Sequence, residues 1–160
     1  MAGPLRTPEE ERRRAFDLAG RALSVRDRTV AELRTYLEGK RVEPEAIEDV
    51  VAELCDSGVL DDARYAERFA DDRRSLMGWG SERIEQDLSR RGVPTDLIEP
   101  ALGARSRAEE LEAARELIER RYAKLDDDRA RNRAWQLLVR RGFDSELAYD
   151  AVRSHGHATG

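Results

Sequence analysis

Three segments of the chain superimpose on one another at offsets of 51 and 50 residues: VEPEAIEDVV at 42–51, VPTDLIEPAL at 93–102 and FDSELAYDAV at 143–152. Ile47, Ile98 and Ala148 share one register position, Val50, Ala101 and Ala151 the next apolar one, and Val51, Leu102 and Val152 the one after. The preceding segments align too, with Leu33, Ile84 and Ala134 followed by Leu37, Leu88 and Leu138. Spacings of three and four are those that one face of an α-helix buries, and no stretch alternates with the period of a strand. A unit of about fifty residues is thin, so it buries its apolar faces mainly against its neighbours. The repeat predicts an all-α fold: three tandem three-helix repeats forming an elongated, curved helical array. Its units are expected at 1–57, 58–104 and 105–154, with 155–160 a flexible tail.

Helix-start signals fall where this scheme needs them. Thr7, Pro8 and Glu10 form a capping box with proline at the first helical position, predicting a helix to about Leu23. Thr29 with Glu32 caps the next helix in the same way, and Ser106 with Glu109 forms another capping box, opening a helix to about Lys124. Asp61 and Asp62 open a helix that carries Tyr65 and Phe69 four residues apart, both expected to lie mostly in the core.

Charge and chemistry narrow the function. The 160 residues hold 29 Lys+Arg against 34 Asp+Glu, a net charge of -5, so the chain as a whole does not attract polyanions. Its charges are segregated, however. Glu43–Asp62 contains eight acids and no base, whereas Arg129–Phe143 contains five arginines (129, 131, 133, 140 and 141) and no acid. The single cysteine, Cys55, allows no internal disulfide and stands among apolar residues, which predicts a buried, inert thiol. The two histidines, His155 and His157, fall in the tail. No phosphate-cradling loop is present, and the adjacent aspartates are what helix starts and an acid-rich composition produce. The expectation is therefore no catalytic site, no metal and no cofactor. With no apolar run near the ~20 residues of a membrane span and no secretory segment, the chain reads as a soluble, cytoplasmic monomer.

Three-helix units invite comparison with DNA-reading folds whose last helix enters the major groove. Here that helix is acidic: Glu43, Glu45, Glu48, Asp49 and Glu53 in the first unit, Asp96 and Glu99 in the second, Asp144, Glu146 and Asp150 in the third. Phosphates would repel it. Positive charge sits instead on the second helices, where Arg83 aligns with Arg133, and Arg90 and Arg91 align with Arg140 and Arg141. A periodic basic face suits a periodic anionic partner, either a nucleic acid or a protein filament formed on one. The candidate partner-binding residues are Arg73, Arg74, Trp79, Arg83, Arg90, Arg91, Arg133, Arg140 and Arg141. Trp79, between Gly78 and Gly80, is either an exposed aromatic anchor or a lid over the junction of its two helices.

The run from Gly58 to Val93 resembles the signature of the RecX family of bacterial regulatory proteins. It carries Leu60-Asp61-Asp62, then Tyr65-Ala66 with Phe69, Gly80 with Arg83-Ile84, and Leu88 with Arg91-Gly92-Val93; Arg141-Gly142-Phe143 repeats the ending. In the first unit Gly39-Lys40-Arg41-Val42 departs from that ending, and Glu38 removes a basic charge. The resemblance spans roughly residues 10 to 153. It implies a non-enzymatic modulator, usually an inhibitor, of the RecA recombinase. Such a protein binds in the groove of the RecA–DNA filament and limits filament growth, ATP hydrolysis, strand exchange and coprotease activity, with at most weak or indirect contact with single-stranded DNA. The rival reading is a helical-repeat DNA-binding protein that acts independently of RecA.

Overall fold

The computed structural model describes residues 5–155. Among them are nine helices and no strand: α1 Pro8–Val25, α2 Val30–Gly39, α3 Pro44–Asp56, α4 Asp62–Met77, α5 Ser81–Arg90, α6 Thr95–Leu102, α7 Arg107–Arg121, α8 Asp128–Arg141 and α9 Ser145–Arg153. The helices run in three successive groups of three. His157 and most of the expected tail lie outside the described residues.

The starts are chemically determined. Thr7 and Thr29 each accept from the third helical amide while Glu10 and Glu32 return a bond to the cap backbone, two complete capping boxes. Ser106 accepts from the Glu109 amide, but the Glu109 carboxylate takes the Ser106 hydroxyl at 3.2 Å instead of the cap amide. α1 runs two residues past the expected Leu23. α7 stops three residues before Lys124, because Tyr122 turns extended and packs its ring against the α7–α9 core.

The shared register is the buried one. Leu33, Ile84 and Ala134 are fully buried, as are Leu37, Leu88 and Leu138. Ile47, Ile98 and Ala148 are buried with them, and so are Val50, Ala101 and Ala151. At the last aligned position Val51 and Val152 are buried while Leu102, at the end of α6, is half-exposed.

The chain divides into two compact units. One takes in the chain through Tyr65 together with Arg90–Pro94; the other takes in Ala66–Ser89 and the chain from Thr95 onward. The first is centred on Ala15, Ala19, Leu33, Leu37, Ile47, Val50 and Leu54. In the second, α7–α9 enclose Ala114, Ile118, Ala134, Leu138, Phe143 and Ala148, and Phe69, Trp79, Ile84 and Ile98 are buried in α4–α6.

Candidate partner-binding surface

Each second helix begins with backbone amides that have no partner of their own. In the first unit the Val30 amide donates to the Asp62 carboxylate at 2.9 Å. The buried Thr29 hydroxyl donates to the Arg91 carbonyl at 2.6 Å. In the second unit the same device recurs. The Ser81 amide donates to the Glu110 carboxylate at 2.7 Å, the Gly80 amide to the Arg141 carbonyl at 2.7 Å, and the Glu82 amide to the Gly142 carbonyl at 3.0 Å. The start of α2 and the start of α5 are thus each held by a carboxylate from the next first helix and by the Arg-Arg-Gly end of the next second helix.

This seating explains the recurring glycine. A Cβ on Gly92 would lie 2.3 Å from the Ala31 Cβ, and one on Gly142 would lie 2.2 Å from the Arg83 Cβ. Both residues are in the left-handed region, at φ +85° and +97°. At Gly142 the helix closes in a Schellman turn, with the Phe143 amide on the Leu138 carbonyl. The aligned residue of the first repeat is Arg41, also left-handed at φ +59°. It is exposed, so its Cβ meets no seated helix and the turn tolerates a side chain.

The nine candidate residues separate into two groups. Trp79 is not an exposed anchor: it is 8% exposed. Gly78, at φ +65°, turns the chain back so that the Trp79 amide donates to the Arg73 carbonyl. The indole meets the Phe69 ring edge-on, with centroids 6.3 Å apart. The Arg83 guanidinium covers its face at 3.9 Å, and Arg73 lies over both rings. Arg74 is half-buried and donates to the Ser81 hydroxyl and to the terminal α6 carbonyl, Leu102. Arg91 donates to the Tyr65 hydroxyl at 2.8 Å, and Arg141 to the Met77 carbonyl at 2.8 Å. All six residues make bonds or ring contacts that hold their own fold.

Arg90, Arg133 and Arg140 are exposed. Arg133 and Arg140 lie in a row on α8 with Arg129, at spacings of four and seven residues. The row extends about 16 Å at 1.5 Å per residue. Between Arg129 and Phe143 there is no acid to neutralise it, and Arg131, on another face, pairs with Asp128 at 3.2 Å. The 129–133–140 spacing is the signal by which sequence could have separated Arg140 from Arg141. Two residues that hold the start of α5 had no such signal: Glu110, and its partner Arg105 at 3.0 Å.

Cys55 is exposed, contrary to the expectation of a buried thiol. α3 turns Val51 and Leu54 inward and leaves Cys55 on its outer side. Desolvation and the nearby Asp62 carboxylate push its pKa up, which disfavours the reactive thiolate. Phe69 is buried as expected, whereas Tyr65 is only half-buried, with its hydroxyl on Arg91. Among the described residues no helix is long and apolar enough to cross a membrane.

Glu82, at the seated start of α5, has its pKa raised by partial burial and by the neighbouring Asp144 carboxylate. A carboxyl whose folded pKa is raised stabilises fully below its unfolded pKa and loses that contribution as pH rises through the folded value. Glu82→Gln is therefore expected to raise the melting temperature slightly at pH 7. The gain should disappear as the pH is lowered through the carboxylate range, in parallel thermal melts of the two proteins.

Residues 15–54, 61–102 and 108–152 match, respectively, the first, second and third three-helix domains of RecX. The chain is 42% identical over 132 residues to the regulatory protein RecX of Trichlorobacter lovleyi, covering 79% of this chain and 86% of that one. It is 39% identical over 149 residues to the regulatory protein RecX of Deinococcus radiodurans, covering 92% and 71%. In fold it is similar to the crystal structure of RecX from Lactobacillus salivarius, with a TM-score of 0.81 at 21% identity over 91% of this chain and 97% of that one. With all three domains matched in order and relatives of this similarity along most of its length, the chain belongs to the RecX family of regulatory proteins.

Proposed function

We propose that this protein regulates the RecA recombinase by binding RecA filaments on DNA and limiting their growth and ATP hydrolysis, and with them strand exchange and coprotease activity. The observation that carries this reading is the match to all three RecX domains, since RecA is the partner that the family resemblance implies. The exposed faces support a protein-centred mode of action. α3 presents Glu45, Glu48, Asp49 and Glu53 to solvent, a surface that phosphates repel. The arginine row of α8 supplies the complementary charge for an anionic filament. Binding alone suffices for this function, with no covalent step.

The deciding experiment follows RecA-catalysed ATP hydrolysis on single-stranded DNA while the protein is added below one copy per RecA. Strong inhibition at low ratios supports action on filament growth, where one bound molecule affects many protomers. No effect, together with steeply salt-dependent binding to naked DNA, would replace this reading with that of an independent DNA-binding protein. The surface is tested separately. Charge reversal at both Arg133 and Arg140 is expected to weaken filament binding at least tenfold, that is about 1.4 kcal/mol. Both side chains are exposed, so circular dichroism should be unchanged. Full affinity in the double variant would remove α8 from the interface.

A further inference from the structure

A second surface of the C-terminal unit differs in construction from the arginine row. The end of α4, the residues leading into α7, α7 itself and the end of α8 surround a cleft of about 240 Å³. Arg74, Arg105, Arg120 and Arg141 form its polar wall, and Leu76, Met77 and Leu117 its apolar wall. Glu116 is the sole acid lining it among the described residues, and stands 3.8 Å from Arg120. Glu110, behind the wall, is already used by Ser81 and Arg105.

Two features are left over once these contacts are counted. The Arg74 Nε is buried with no hydrogen-bond partner among the described residues, and the charge of Arg105 adds to the strain of burying that guanidinium. At the mouth, Leu76 is 80% exposed and Met77 47% exposed, large apolar side chains that the described chain leaves partly or mostly open to solvent. An anion entering the cleft would compensate the guanidiniums. A nucleic-acid backbone could supply that anion but offers little apolar surface to Leu76 and Met77. A protein segment with a carboxylate beside an apolar side chain satisfies both walls.

We propose that this cleft is a docking site for an acidic segment of the partner protein, with a carboxylate among Arg74, Arg105 and Arg141 and an adjacent apolar side chain over Leu76 and Met77. The identity of that partner as RecA rests on the function proposed above; the chemistry of the site does not. Arg74 and Arg141 thereby have two duties, since each also bonds within the fold.

The site is tested with the dipeptide acetyl-Asp-Leu-amide, following the arginine Nε–Hε resonances of the intact protein by NMR. The peptide is expected to shift Arg74, Arg105 and Arg141 saturably at roughly millimolar concentration, whereas acetyl-Asn-Leu-amide does not. Leu76→Asp, a change at an exposed position, should abolish the response with circular dichroism unchanged. Absence of a saturable shift overturns the proposal. So does an equal response to inorganic phosphate that Leu76→Asp leaves intact, which would mark a bare phosphate site. In a second arm, Leu76→Asp should bind RecA at least tenfold more weakly and bind naked single-stranded DNA as the parent does. Unchanged RecA affinity, or a loss confined to DNA, overturns the docking role. If the parent protein takes the peptide yet does not bind RecA at all, the RecA reading fails and the cleft stands.

Discussion

Gly142→Ala is expected to melt roughly 10 °C below the parent protein, from a cost of about 3 kcal/mol at 2–4 °C per kcal/mol for a chain of this size. Two costs add. At φ +97° an alanine pays the left-handed penalty of about 1–2 kcal/mol. Its Cβ would also fall 2.2 Å from the Arg83 Cβ and 2.6 Å from the Arg83 backbone nitrogen, atoms that cannot rotate away. Overpacking of that kind costs about 1–3 kcal/mol. Gly20→Ala is the contrasting case. Gly20 sits inside α1, where an added methyl would meet nothing within 4 Å, so alanine should stabilise by about 0.5–1 kcal/mol. Thermal circular dichroism measures both. Hydrogen exchange at the Gly80 and Glu82 amides locates the damage, because those amides donate to the Arg141 and Gly142 carbonyls. Parent-like melting and protection in Gly142→Ala would mean that the end of α8 is not seated on α5.

Glu110→Ala should be at least as damaging, by about 3–5 kcal/mol. Glu110 is 8% exposed, and its carboxylate accepts from the Ser81 amide, the Ser81 hydroxyl and Arg105. Deleting it leaves the first amide of α5 and the partly buried Arg105 guanidinium without their acceptor, beside Arg74, whose pKa is already lowered by desolvation and by the charge of Arg105. Glu110→Gln keeps an acceptor for Ser81 but loses the ion pair, and should cost about half as much. Urea titration reads the difference as a lower midpoint at constant slope. An Ala variant within about 0.5 kcal/mol of the parent would show that the network is decorative.

The function was legible to different depths at different residues. Leu33 and Leu37, with their counterparts Ile84 and Leu88, and Ala134 and Leu138, could be assigned to the core from spacing alone, because one buried face imposes the same period on every helix. Thr7 and Thr29 were legible as caps because the capping box is a contact between residues three apart. Arg90 and Arg91 could not be separated this way. Neighbouring residues on a helix point about 100° apart, and only the position of Tyr65 makes Arg91 the internal one. Arg140 and Arg141 differ in this respect: Arg140 continues the 129–133–140 row, while the Met77 carbonyl takes Arg141 into the fold. Trp79 between two glycines suggested exposure, yet those glycines supply the turn and the close approach that bury it.

What the amino-acid order determined by itself is everything governed by contacts within a few residues: nine helix segments, their caps, their buried stripes and the threefold repeat. Only the tertiary structure decided that Arg91 and Arg141 bond within the fold, why glycine is required at 92 and 142 but not at 41, and that Glu110 secures the start of α5. The contacts that settle Arg91, Glu110 and Arg141 join groups 26, 29 and 64 residues apart in the chain. Helical periodicity specifies which way a side chain points, but not what it will find there.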